Sequence, residues 1–286
     1  MLARLKPYLQ LAPLTLVLML FVAAPLCFVV AVSFFRTDGF DTIPAFTFDN
    51  YAAILSSSLS VSLYLNMIKY ALMTWAASLV LGFFVAYFLV FHVRDRTVAI
   101  GLFLVCTVPF WTSNVIRMIS WMPVLAEQGV INGALLKLGL IDAPLRILLF
   151  SDFSVVLAYV HLFTIFMIVP IFNSMSRIDR NLFEAARDAG SGRFKTLLLV
   201  VLPLTQPGIV MGSIFVVTLV MGDFYVVKVM SGGGSASVVS AMYDNVSTLL
   251  FPPAAASAVI LLLILTVLIA LLTRFVDVRQ ELVQRS

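Results

Sequence analysis

The sequence predicts an all-α integral membrane protein with six transmembrane helices, and three observations carry that prediction. Of its 286 residues, 62% are apolar and 11% charged, with a mean hydropathy of +1.10; a soluble domain has roughly 25% charged and about 45–50% apolar residues. Six stretches without Asp, Glu, Lys or Arg, at 7–35, 70–91, 97–116, 153–176, 196–222 and 245–273, reach the roughly 20 residues that cross a hydrocarbon core about 30 Å thick. Between them, basic residues alternate in density as the positive-inside rule requires. Such a chain has too little polar surface for a cytosolic enzyme, a nucleic-acid module or a disordered protein. The net charge of +4 and the pI near 9.2 point to no nucleic acid, because the basic residues are scattered between apolar spans.

The first helix is placed at about 9–35. Arg4 and Lys6 precede it as in a signal peptide, but its apolar core is about twice the 7–15 residues of a cleaved signal, so it is read as retained. The remaining spans are placed at about 66–92, 97–121, 153–176, 200–229 and 251–274, all within one domain over 1–286. With the N-terminus inside, the inner segments hold twelve Lys and Arg against six acids, and the outer segments six against eight, giving nets of +6 and −2. Both termini are therefore expected in the cytoplasm of a multi-pass protein. Cys27 and Cys106 lie in apolar runs and read as small buried hydrophobes, so no disulfide and no metal site is expected.

Two extramembrane stretches stand out. Residues 118–152, outside, mix Gly129, Asn132, Gly133, Gly139 and Pro144 with apolar residues, a pattern that suits a short amphipathic helix or re-entrant turn. Residues 177–195, inside, hold eight of the 32 charges in 19 positions. There, Asp179 is placed to cap a helix of about three turns that Gly190 ends. Arg180 and Glu184 at i,i+4, and Glu184 and Arg187 at i,i+3, are spaced to pair. A second helix is expected from Phe194 to Val201, meeting a fifth span that begins at Pro203 and Pro207.

Composition alone makes this loop an ordinary charged connector; spacing says otherwise. Glu184-Ala185-Ala186, three residues, Gly190, nine residues, Val200, one residue, Leu202-Pro203 resembles the EAA loop of the membrane subunits of ATP-binding-cassette importers, E-A-A, three residues, G, nine residues, I, one residue, L-P. Six of the seven defined positions match, with Val200 for Ile. Phe48-Asp49-Asn50-Tyr51, Pro109-Phe110-Trp111-Thr112-Ser113, Gly129 with Asn132, Ile178-Asp179, Leu202-Pro203-Leu204 with Pro207-Gly208, Gly222-Asp223-Phe224 and Gly232-Gly233 look like the spermidine/putrescine permease branch of that family. The resemblance implies a type I importer permease fold in a bacterial inner (plasma) membrane. It implies that Glu184, Ala185, Ala186 and Gly190 form a coupling helix seated in an ATPase subunit, with Leu202 and Pro203 tying the loop to the fifth helix, over a coupling region of 177–203. It also implies a second, identical or homologous permease, two ATP-binding subunits and a periplasmic or extracellular substrate-binding protein. The chain has no G-x-x-x-x-G-K-[ST] phosphate loop. ATP and Mg are thus expected on the partner, with no cofactor in this chain and no enzymatic site of its own.

A charge at the bilayer centre costs about 2.5–3.5 kcal/mol on insertion scales, so charges near span ends need partners. Lys69 and Lys228 are expected to snorkel to the outer headgroups, and Arg117 and Asp223 to lie inside. A polycation would need carboxylate and aromatic faces, which Asp223, Tyr225, Phe110, Trp111 and Trp121 supply. An interfacial aromatic belt explains the tryptophans equally well, and an arginine in the path argues mildly against a cationic cargo unless an acid pairs with it. His92 and His161 have no companion ligands and read as structural. Beside the polyamine reading stand importers of another small amine, an aminophosphonate or an oxyanion. A proton-coupled secondary carrier or channel is the reading from a different class, disfavoured by the EAA spacing.

Overall fold

The computed structural model describes residues 11–39 and 41–274. In chain order the elements are α1 (Leu11–Ser33), a hairpin of β1 (Arg36–Asp38) and β2 (Asp41–Ile43), α2 (Asp49–Ser56), α3 (Ser58–Phe91) and α4 (Arg96–Thr107) with a 3-10 extension, Val108–Trp111. Next come α5 (Asn114–Ile119), α6 (Met122–Leu125), α7 (Val130–Lys137), α8 (Asp152–Met175), α9 (Asn181–Asp188) and α10 (Arg193–Met221). The last three are α11 (Tyr225–Met230), α12 (Val238–Ser247) and α13 (Phe251–Arg274). Helices α1, α3, α8, α10 and α13 are each long and apolar enough to cross a membrane, and a sixth span arises if the bent pair Thr97–Trp111 and Asn114–Lys137 counts as one. The terminal residues on which part of the charge bias rests, among them Arg4, Lys6, Arg279 and Arg285, lie outside the described residues.

The chain divides into two units, 1–63 with 238–264 and 64–237 with 265–286. In the first, Asn50 explains the Phe48–Tyr51 run. Its Nδ2 donates to the carbonyls of Ser33 (2.9 Å) and Phe35 (2.8 Å), which the end of α1 leaves without helical partners. The Tyr51 hydroxyl shares a 2.6 Å hydrogen bond with Ser33 Oγ, while Phe34 stacks on Phe46 at 4.8 Å and meets Phe48 edge-on at 5.3 Å.

Prolines shape two spans in the same way. The Ala24 N–H reaches back five residues to Met19 O, and the Leu202 N–H five residues to Leu197 O, so each helix carries a π turn immediately before a proline, Pro25 or Pro203. A proline ring clashes with the carbonyl four residues back and offers no N–H; widening the turn by one residue relieves both. The Phe194–Val201 helix is therefore not separate from the fifth span: the helix runs unbroken from Arg193 to Met221. It also stops earlier than 229, at Gly222, and restarts at Tyr225.

The third span differs as well. Instead of a helix over 97–121, the chain tightens into a 3-10 turn at Pro109, becomes extended at Thr112 (φ −97°, ψ 155°) and turns by 95°. Beyond the bend, buried Asn132 organises the 118–152 segment, donating to the carbonyls of Ala126 (3.1 Å) and Leu145 (3.2 Å) and accepting the Leu145 N–H (2.8 Å). A Cβ on Gly129 would stand 2.6 Å from Pro123 O, so this turn needs glycine.

The core of the second unit is the crossing of α8 and α10. A Cβ on Gly208 would lie 2.5 Å from Pro170 O and 2.6 Å from Ser174 Oγ, and one on Gly212 would lie 2.6 Å from Met167 Sδ. Met167 is also pressed by Gly82 of α3, where a Cβ would lie 2.8 Å from its Cγ. Trp75 of α3 donates to Ser213 Oγ of α10 at 2.8 Å. Gly208→Ala should lower thermal stability in detergent by at least the about 1–3 kcal/mol typical of overpacking, because its obstacle is backbone. Gly133→Ala, with nothing within 4 Å of the new Cβ, should leave the melting temperature unchanged or slightly raised.

Candidate functional site: a docking elbow and a polar spine

The segment between α8 and α10 is built around a reversal at Gly190. Asp179 Oδ1 accepts the Asn181 N–H at 3.0 Å as α9 begins. At the other end the N–H groups of Ala189, Gly190 and Ser191 bond back to Ala185 O (3.0 Å), Arg187 O (2.9 Å) and Ala186 O (2.9 Å). Gly190 sits at φ +74°, a left-handed conformation that a side chain strains. The helix has eight residues, about two turns rather than three. Glu184, Ala185 and Gly190 are exposed and Ala186 is half-buried. Phe183 turns inward onto Phe91 with ring centroids 4.9 Å apart. The expected pairing of Glu184 with Arg180 and Arg187 does not form: no ion pair within 4 Å joins them, which leaves the carboxylate to the surface. Leu202 and Pro203 are exposed immediately after the π turn.

Three of the six residues read as lining a pathway meet side chains of α8. Asp223, in the break between α10 and α11, accepts the Val226 N–H at 2.8 Å and the Tyr159 hydroxyl at 3.2 Å on Oδ1. The Trp121 indole N–H donates to His161 Nδ1 at 2.8 Å. Phe110 meets Phe166 edge-on at 5.5 Å, and rings continue up the helix through Phe163 to Tyr159. Tyr159, His161 and Phe166 thus receive Asp223, Trp121 and Phe110, and none of the three was singled out as a pathway residue in the sequence, because an aromatic in an apolar helix reads as core. Arg117 is inside as expected, 6% exposed. Its partner is the Asn114 side-chain carbonyl, not Asp223 or any other acid, and its Nε has no hydrogen-bond partner. Two candidates stand apart: Trp111 is 85% exposed, and Tyr225 is exposed with its ring against Phe224.

A further polar cluster went unread. Lys69 does not snorkel free but pairs with Asp152 Oδ2 at 2.8 Å, over the face of Tyr70. The fully buried Tyr70 hydroxyl lies 2.5 Å from Asp152 Oδ1 and 2.7 Å from Ser235 Oγ. The 231–237 loop, with Gly232 at φ +60° on the ring of Phe150, is thereby tied to the start of α8. Two of the partners are invisible as such in the sequence: Asp152 is one of eight acids in the outer segments, and Ser235 lies in a polar stretch with no pattern. Asp152→Ala should raise hydrogen exchange in 231–237 while leaving 181–192 unchanged; equal protection of 231–237 in the variant would remove the tie.

Residues 78–281 match the family described as binding-protein-dependent transport system inner membrane component. The spermidine/putrescine transport system permease protein PotB of Salmonella typhimurium is 35% identical over 233 residues, 80% of each chain; PotB of Escherichia coli is also 35% identical, over 80% of this chain and 83% of that protein. The sulfoquinovosyl glycerol transport system permease protein SmoG of Agrobacterium fabrum is 27% identical over 87% of this chain and 82% of its own. A solved structure of a bacterial ABC transporter involved in the import of the acidic polysaccharide alginate shares the fold, with a TM-score of 0.74 over 94% of both chains at 14% identity. The protein is thus a multi-pass inner membrane permease, a member of the family of inner membrane components of binding-protein-dependent transport systems.

Proposed function

We propose that this permease carries a small polyamine such as spermidine or putrescine across the inner membrane, driven by ATP hydrolysed on a partner. The observation that carries the substrate class is the 35% identity over 80% of the chain to a spermidine/putrescine permease. The Tyr159–Asp223 pair beside the α8 ring series supports it with the carboxylate and aromatic faces an ammonium prefers. Both termini are cytoplasmic in this reading, which puts α9 inside. There the face formed by exposed Glu184, Ala185 and Gly190 with half-buried Ala186 seats in an ATP-binding subunit that holds ATP and Mg; this chain holds no cofactor of its own. A second permease, a second ATP-binding subunit and an outer binding protein complete the complex.

The unbroken helix from Arg193 to Met221 supports the mechanical part: a displacement that α9 passes through the Gly190 elbow to Arg193 then runs along one continuous helix, through Leu202 and Pro203, to the Gly222–Phe224 break that holds Asp223. A second reading, import of an anionic or phosphonate-bearing solute, is favoured by one observation, the buried Arg117 with no carboxylate partner. Membership in the family sets aside a proton-coupled carrier or channel.

Uptake of labelled spermidine by proteoliposomes holding the full complex tests the proposal. Gly190→Val and Glu184→Arg should each abolish ATP-driven uptake while the chain still inserts; normal uptake with either would refute the coupling role. Asp223→Asn should cut spermidine uptake about tenfold or more, the scale of one hydrogen-bonded charge at roughly 1.5–3 kcal/mol. Unchanged spermidine uptake in that variant, with loss of uptake of an anionic solute in Arg117→Gln, would favour the second reading.

A further inference from the structure

The elbow that presents α9 also makes a cavity behind it. Gly190 reverses the chain so that Arg187, near the end of α9, and Arg193, the first residue of α10, come to line one cavity of about 110 Å³. Ser191 and Tyr87 line it too, and Phe183 and Val201 contribute apolar wall. Neither guanidinium makes an ion pair or hydrogen bond among the described residues; Glu184 and Asp188 share the loop, yet no carboxylate lies within 4 Å of either arginine. Both arginines are exposed; two guanidiniums without a carboxylate partner at one cavity suit an anion, and planar guanidinium matches phosphate oxygens two at a time.

We infer that this cavity is a binding site for the phosphate headgroup of an anionic phospholipid. The surroundings favour lipid over a soluble anion. Phe194, Leu198 and Leu199, on the first turns of the same helix, are exposed, and that helix is one of the membrane-spanning candidates. A headgroup between the arginines would leave its acyl chains beside this apolar strip. Basic pockets between helices at the membrane surface bind anionic lipids in this way. The inference does not rest on α9 being the docking element.

Native mass spectrometry of the full chain in neutral detergent tests it, with dioleoyl-phosphatidylglycerol, dioleoyl-phosphatidylcholine and inorganic phosphate as separate additions. Phosphatidylglycerol should be retained at one per chain and phosphatidylcholine should not. Arg187→Gln/Arg193→Gln should weaken that retention about 30-fold, the scale of two basic residues at an anionic surface. Arg180→Gln/Lys195→Gln removes the same charge from the same segment and should leave retention in place. Equal retention in Arg187→Gln/Arg193→Gln, equal loss in the control variant, or binding of inorganic phosphate in preference to the lipid would each overturn the assignment. Glu184→Gln, a change on the docking face, should not alter lipid retention, so this inference and the coupling role fail separately.

Discussion

A helix pair surrounded by lipid gains nothing by excluding water, so its contact must come from close packing. The α8–α10 crossing meets this requirement with Gly208 against the Pro170 carbonyl and Gly212 against Met167. The two regions to which the proposed function assigns roles lie at the two ends of that pair. One end of the pair continues into the α9 elbow. The other carries Tyr159 and Asp223, joined across the break that ends α10. In the proposed mechanism this close crossing is what carries a movement from one end of the pair to the other.

Prolines set where the spans stay continuous and where they turn. Pro203 produces a π turn and not a hinge, so the helix stays continuous while its leading segment, Arg193–Val201, is rotated by one residue relative to a regular α-helix. Pro109 acts differently because it is followed by the extended Thr112, and there the chain does turn. The same residue type gives a bulge in one place and a corner in the other, and the difference lies in whether the backbone after it returns to helical angles.

Much of this was legible in the sequence. Uncharged runs located the long helices, because lipid tolerates no interruption of that kind, and α13 occupies the 251–274 placed for it. The loop spacing located Gly190, whose left-handed conformation follows from the turn it makes. What could not be read was pairing at a distance. Tyr70 with Asp152 and Ser235, and Trp121 with His161, are contacts between residues 40 to 165 positions apart, and no local period encodes them. Proline-induced π turns were likewise hidden, since a proline early in an apolar run reads as a helix start. The Arg117–Asn114 contact, i to i+3 on a short helix, is legible from spacing, although an amide is a less obvious partner for a guanidinium than an acid.

The central claim is that α9 is seated in a partner ATPase and drives the helix it leads into. Disulfide trapping tests it most directly: with Cys27 and Cys106 replaced by Ser, a cysteine at Ala185 is paired with single cysteines in the cleft of the co-expressed ATP-binding subunit. The account predicts a cross-link at Ala185→Cys that blocks uptake and is reversed by reductant, and none at Gly133→Cys. Full transport with no cross-link from position 185 to any cleft position would contradict it.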